Sequence, residues 1–417
     1  MTDLAGADDA GERVRRLPSG VPPPGWEVLA TMFAGSGWSE EGKRCGIWAL
    51  GVLREELGDD WVDTCWQTGS LPAELALAAG HLHSFALLVD LAAELHLLRA
   101  RPGMASVRRK FQTNPVPHEL AAARCSLRIA AVGLRAGLVP TMEPAARGRS
   151  PADVSLEGPD GELRVEAKTL LRAELTRDVD AWLDVLTTPL MESVRIHRVR
   201  INGEANEPLD EASTVTLIAD LTAACGAVAA GVSVPAVRAG RNRFEVVPAG
   251  SDQPATNIAM PAVNLWRRTA ARITEAVGQT RRSGATWLLV ESLDNLWQLT
   301  PWSTQTLASR AIALREEALR LVEDVQHLHG VVFTDGAALI DLHSPDERTN
   351  PVAGVFGIRQ RIDRPRTRET IVIALRDDTA VADLREWQRV LEAEAGWAQW
   401  ALDRVGLPSP PELRPLH

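Results

Sequence analysis

From Trp26 to about Ala100 the apolar positions recur at helical spacing, and few runs alternate as a strand would. Stripes of Leu and Ala around Trp61 and Trp66 predict a helical N-terminal unit over residues 27–110. Before it, residues 1–26 are polar and end in LPSGVPPPGW, a poor core former, and are expected to be a flexible tail. After it, a basic connector runs from Arg99 to Lys110. The period then changes. Leu120, Ala123, Leu127, Ala130 and Leu134 mark a helix over 117–136, closed by Gly137, and Leu138 to Met142 suits a short strand. PADVSLEGPDGELRVEAKTLL is two alternating runs about a Gly-Pro-Asp-Gly turn, the pattern of a hairpin. A helix near 178–198, a β-α-β excursion over 199–260, a helix over 261–282 and an apolar strand over 286–291 follow. Beyond these lie a helix from about 304 to 327, strands near 331–334 and 371–375, a helix over 380–404 and a Pro-rich tail. Strands alternating with helices give an α/β class with a mixed central sheet flanked by helices. The strand-bearing domain is expected to span 111–378, with a C-terminal helix and tail over 379–417.

The hairpin fixes a register. With Gly158–Gly161 as the loop, Glu157 faces Glu162, Leu156 faces Leu163 and Val154 faces Val165. The apolar pairs share one face, as a half-buried sheet requires. Extending the ladder sets Asp153 opposite Glu166, with Lys168 two residues on and on the same face. Directly opposed Cβ atoms lie about 4.5–5.5 Å apart. Two carboxylates that close repel unless a cation lies between them, and oxygen ligands of this kind suit Mg²⁺ or Mn²⁺, which also bind phosphate. An adjacent ammonium can hold a metal-bound water and offset charge on a phosphorus-centred transition state. The chemistry implied is phosphodiester hydrolysis. The competing reading is a solvated strand face carrying an ordinary cross-strand salt bridge.

Asp153, twelve intervening residues, then Glu166-Ala167-Lys168 at the end of an apolar strand resembles the PD-(D/E)xK, or restriction-endonuclease-like, superfamily. The element order agrees over residues 111–292: helix, three-stranded meander, helix, further strand. The departures are the insertion at 199–260 and the Ala152 that separates Pro151 from Asp153. The resemblance implies that Asp153 and Glu166 ligate metal, that Lys168 is catalytic, and that Glu119, on the first helix, supports the metal site. Gln279 resembles an auxiliary glutamine of some members. It also implies a Mg²⁺- or Mn²⁺-dependent nuclease with DNA as the expected substrate. The helical unit and the insertion would serve substrate choice, regulation or dimerisation, a homodimer being the oligomer to test. A nuclease-like fold that binds nucleic acid or protein without catalysis is the alternative function.

Composition adjusts this picture in four places. The net charge of −10 excludes a uniformly basic nucleic-acid coat but not a local basic channel. Such a channel could draw on Arg147 and Arg149, on Arg195, Arg198 and Arg200, or on Arg359, Arg361, Arg364, Arg366 and Arg368. No signal-like N-terminus and no long uncharged apolar run stand out, so a cytoplasmic protein with no membrane span is expected. The four cysteines lack metal-finger spacing and read as reduced thiols. Only three lysines, Lys43, Lys110 and Lys168, occur among the 45 basic residues. In so arginine-rich a chain a retained lysine suggests a place where a compact, tunable amine is needed.

Three other motifs fail on inspection. Gly37 to Arg44 (GWSEEGKR) nearly spells a phosphate-binding loop, but Arg44 replaces its Ser/Thr. Glu41-Gly42-Lys43 repeats the Glu-x-Lys letters without a strand or partner aspartate. His118-Glu119 lacks the second histidine of a zinc-protease helix, because position 122 is Ala.

Overall fold

The computed structural model describes residues 25–67, 75, 78–80, 82–113, 117–144, 151–170, 172–250, 254–260, 262–292, 297, 304–322, 325–335, 347–352, 355–361, 369–375, 381–394 and 396–413. The residues 1–24 of the expected tail lie outside this set. The chain is mixed α/β and divides into two compact units, residues 1–170 with 274–417, and residues 171–273.

The first unit is organised on an eight-stranded mixed sheet. Its strands are β1 (Val139–Met142), β2 (Val154–Glu157), β3 (Glu162–Leu170), β8 (Trp287–Ser292), β9 (Gly330–Asp335), β10 (Glu347–Val352), β11 (Val355–Arg361) and β12 (Glu369–Ala374), in the order β1-β2-β3-β8-β9-β12-β11-β10. β1, β2 and β3 form an antiparallel meander, β3, β8 and β9 run parallel, and β12, β11 and β10 return antiparallel. Every residue of β8 is buried, as its unbroken apolar run requires of a central parallel strand. β3 instead alternates: Leu163, Val165 and Ala167 are buried, whereas Arg164, Glu166 and Lys168 are partly exposed on the other face.

Helix Pro117–Arg135 packs its apolar side on this meander. The N-terminal helices are not a separate body. Gly25–Ala34, Glu40–Leu57, Leu82–Leu98 and Met104–Thr113 share one hydrophobic core with the sheet, and the boundary expected near residue 110 is absent from the packing. The C-terminal segment packs into the same core as far as Leu413. The expected helix over 380–404 is two helices, Val381–Glu394 and Trp397–Arg404, broken at Gly396, whose φ is +65°. Trp387, Trp397 and Leu413 are fully enclosed in the same core. The Trp287 indole donates to Asp383 at 2.7 Å, and Ser39 Oγ donates to Glu412 O at 2.5 Å. No disulfide joins the four cysteines, all of which are buried.

The second unit contains the strand, helix and strand expected over 199–260 and adds two further strands. It holds a four-stranded sheet of β4 (Val199–Glu204), β5 (Val237–Ala239), β6 (Asn242–Pro248) and β7 (Ala255–Ala259), in the order β5-β6-β4-β7. β6 returns antiparallel to β4, so no parallel crossover links them, and only β7 runs parallel to β4. Helix Arg172–His197, expected to complete the nuclease-like core, falls in this unit because Val179, Trp182, Leu186, Leu190 and Val194 are buried in the unit's own core. Helix Glu211–Ala229 is capped by Asp210, which accepts from Ser213 N at 2.8 Å. That helix is long and apolar enough to cross a membrane by length and composition, an exception to the reading from apolar runs. Its Thr214, Leu217, Leu221, Ala224, Cys225 and Val228 are buried.

Candidate functional site

The site grows out of the β2–β3 hairpin. Gly158 N donates to Gly161 O at 2.8 Å, and the loop closes the register read from the sequence: Glu157 with Glu162, Leu156 with Leu163, Ser155 with Arg164, Val154 with Val165. The ladder ends at Val154 with Val165, and Asp153 lies just before it. β2 begins at Val154, and Asp153 bends so that its Oδ2 accepts the backbone N–H of Ala167 at 2.9 Å. Its own carbonyl accepts from Glu143 N, also at 2.9 Å. One carboxylate oxygen of Asp153 is thus committed to the sheet.

Glu166 supplies the second carboxylate. Its Oε2 is enclosed and takes no hydrogen bond among the described residues. Burial, reinforced by the charge of Asp153, pushes its pKa up to about 7, against the opposing effects of Ser283, Lys110 and Arg282. Burial likewise raises Asp153, opposed by the Ala167 N–H and the ammonium groups of Lys110 and Lys168. Two desolvated carboxylates that hinder each other's ionisation, one with an unbonded oxygen, are a donor set that a divalent cation would satisfy. Lys168 stands on β3 on the same face as Glu166.

The remaining candidates are dispersed. Glu119 lies in the first turn of helix Pro117–Arg135, but its side chain is outside the described set. Among the described residues no group of three or more His, Cys, Asp or Glu side chains is arranged to hold a metal. Gln279 is partly buried on helix Ala262–Ser283 and makes no hydrogen bond to either carboxylate. Arg147, Arg149, Arg364, Arg366 and Arg368 lie outside the described residues. Arg359 and Arg361 sit on β11, which is not among the strands expected, and their side chains lie outside the described set. Arg195, Arg198 and Arg200 belong to the second unit.

Two neighbours of the carboxylates escaped the sequence reading. Lys110 forms an ion pair with Glu143 and acts electrostatically on both Asp153 and Glu166. It is carried there by helix Met104–Thr113, which the sequence had presented as a basic connector. The Arg101-Pro102-Gly103 turn docks that helix on β1: Pro102 O accepts Met142 N at 2.9 Å, and Gly103, with φ +83°, lies so close that a Cβ would stand 1.7 Å from Met142 O. Glu143 follows directly in a left-handed conformation, φ +44°, uncommon for a residue with a side chain. The available signal was the scarcity of lysine, since two of the three in the chain meet here. No protein-family model, no curated protein and no solved structure matches this chain.

Proposed function

We propose that this chain is a divalent-metal-dependent phosphodiesterase with a restriction-endonuclease-like core, acting on nucleic acid, with DNA as the expected substrate. The observation that carries the reading is the enclosed, unbonded Oε2 of Glu166 beside the desolvated Asp153, with Lys168 on the same strand face. The order of the meander and the parallel strand β8 beside β3 supports the fold assignment.

Asp153 and Glu166 would hold the ion, Mg²⁺ or Mn²⁺, with Glu119 as the further candidate ligand. When bound, the ion supplies a water of lowered pKa and positive charge at the phosphate. The other roles fall to the chain's own groups. The Ala167 N–H keeps one Asp153 oxygen fixed, so the second is presented in a single orientation. Lys168 offers three rotatable donors on a compact charge, suited to orienting a water and meeting a non-bridging phosphate oxygen. Arginines such as Arg147, Arg149, Arg359 and Arg361 would contact the backbone phosphates.

The test is incubation of the purified chain with supercoiled plasmid, single-stranded DNA and RNA, with Mg²⁺ or Mn²⁺ and with chelator. Metal-dependent cleavage that Lys168→Ala abolishes is the expected result. Absence of cleavage with every substrate, or a Lys168→Ala variant that cleaves like wild type, overturns the reading. Retarded nucleic acid without cleavage would assign the chain to the alternative class, a binding module.

A further inference from the structure

Glu143, Asp153 and Glu166 lie at one end of the meander: Glu143 N donates to Asp153 O, and Asp153 Oδ2 accepts from Ala167 N, the neighbour of Glu166. A lysine, Lys110, is docked against them by a turn that leaves no room for a side chain at residue 103. Its ammonium pairs with Glu143, whose side chain is largely buried, and its charge reaches both members of the Asp153–Glu166 pair. An arginine-rich chain that keeps a lysine here has selected a compact point charge over a planar fork.

We infer that Lys110 is a half-exposed counter-cation for the Asp153–Glu166 pair, competing with the divalent ion, and that Glu143 is the clamp that holds it. The inference rests on the proposed metal site and deepens it. Lys110 and Glu143 are positioning residues: they act through the two carboxylates. Without divalent metal, the ammonium lowers the cost of holding two carboxylates together. With metal, the same ammonium opposes the incoming charge, and its ion pair with Glu143 offsets part of that opposition. Removing the ammonium therefore tightens metal binding, whereas removing the clamp weakens it. A pair that merely held the fold together would move both variants the same way.

The experiment is calorimetric titration of Mn²⁺ into the full chain as wild type, Lys110→Met, Lys110→Arg and Glu143→Gln. Loss of one positive charge at this range should tighten Mn²⁺ about tenfold in Lys110→Met. Lys110→Arg keeps the charge and should stay within about threefold of wild type. Glu143→Gln should bind more weakly than wild type. Lys110→Gln repeats the test should the methionine variant not give the wild-type circular dichroism. Mn²⁺ binding that is unchanged or weaker in the folded, charge-removed variant overturns this inference and leaves the metal site standing. A wild type that binds no Mn²⁺ overturns both.

Discussion

The carboxylate of Asp153 accepts the backbone N–H of Ala167 at 2.9 Å, across the hairpin and fourteen positions along the chain. This bond ties a candidate ligand to the strand that carries Glu166 and Lys168, so the three move as one piece of sheet. It also changes the geometry read from the sequence. The ladder ends at Val154 and Val165, and Asp153, just before it, adds a side-chain bond to the Ala167 N–H.

The buried charge pair makes metal-free stability depend on pH through Glu166. Its folded pKa is raised from 4.5 to about 7, so its neutral form is favoured on folding. The associated stability is fully present below the unfolded pKa and is lost as pH rises through the folded one. Glu166→Gln should therefore stabilise the chelator-treated protein by about 1–2 kcal/mol near pH 8, after allowance for partial exposure, and by little near pH 5. Urea unfolding at the two pH values checks this, and a variant no more stable than wild type near pH 8 speaks against it.

Metal uptake should carry a proton signature. Both carboxylates must be ionised to ligate, and both have raised pKa values. Mn²⁺ affinity is expected to rise between about pH 6 and pH 8, with proton release at the lower end. Calorimetry in two buffers of different ionisation enthalpy measures the protons released, and an affinity independent of pH would count against the assignment.

Gly103 sets the position of Lys110. Its φ of +83° and its approach to Met142 O leave an alanine at that position strained and in collision with backbone. Gly103→Ala should cost about 3 kcal/mol or more, measured by the shift in urea midpoint. A loss of under about 1 kcal/mol would mean that the turn is softer than its geometry implies.

A second buried charge pair tests the account of the core. Arg128 and Glu94 meet at 3.2 Å, almost wholly enclosed, with the guanidinium 4.5 Å from the Trp397 ring centroid. Burial pushes Glu94 up to about 7 despite Arg128. Arg128→Met should cost about 3–5 kcal/mol, because it abandons a buried carboxylate. The double variant with Glu94→Gln should recover a large part of that loss. Equal losses in the single and double variants would contradict the pairing.

What the sequence could reveal follows the range of the interactions. The β2–β3 register was legible because two alternating runs around GPDG determine it locally. β8 was legible as one apolar run. β10 and β11 were not: their segment contains Pro351 and a run of arginines, and it pairs through two irregularities, between Asn350 and Val352 and between Phe356 and Ile358. Strand formation there depends on β12 as a partner rather than on local preference. Helix Arg172–His197 was legible as a helix, but its membership of the second unit depends on which core buries Trp182 and Leu186. The Lys110–Glu143 pair is non-local in the same sense, because it needs the Pro102–Met142 docking before the two side chains can meet.

In the proposed site Asp153 and Glu166 together hold one divalent cation. Titration of Mn²⁺ into the wild-type chain and into Asp153→Asn tests it most directly, because asparagine keeps an acceptor for Ala167 N–H and removes only the charge. One site per wild-type chain, weakened at least about tenfold in a variant with unchanged melting temperature, is the expected result. No binding by wild type, or equal binding by both proteins, would contradict it.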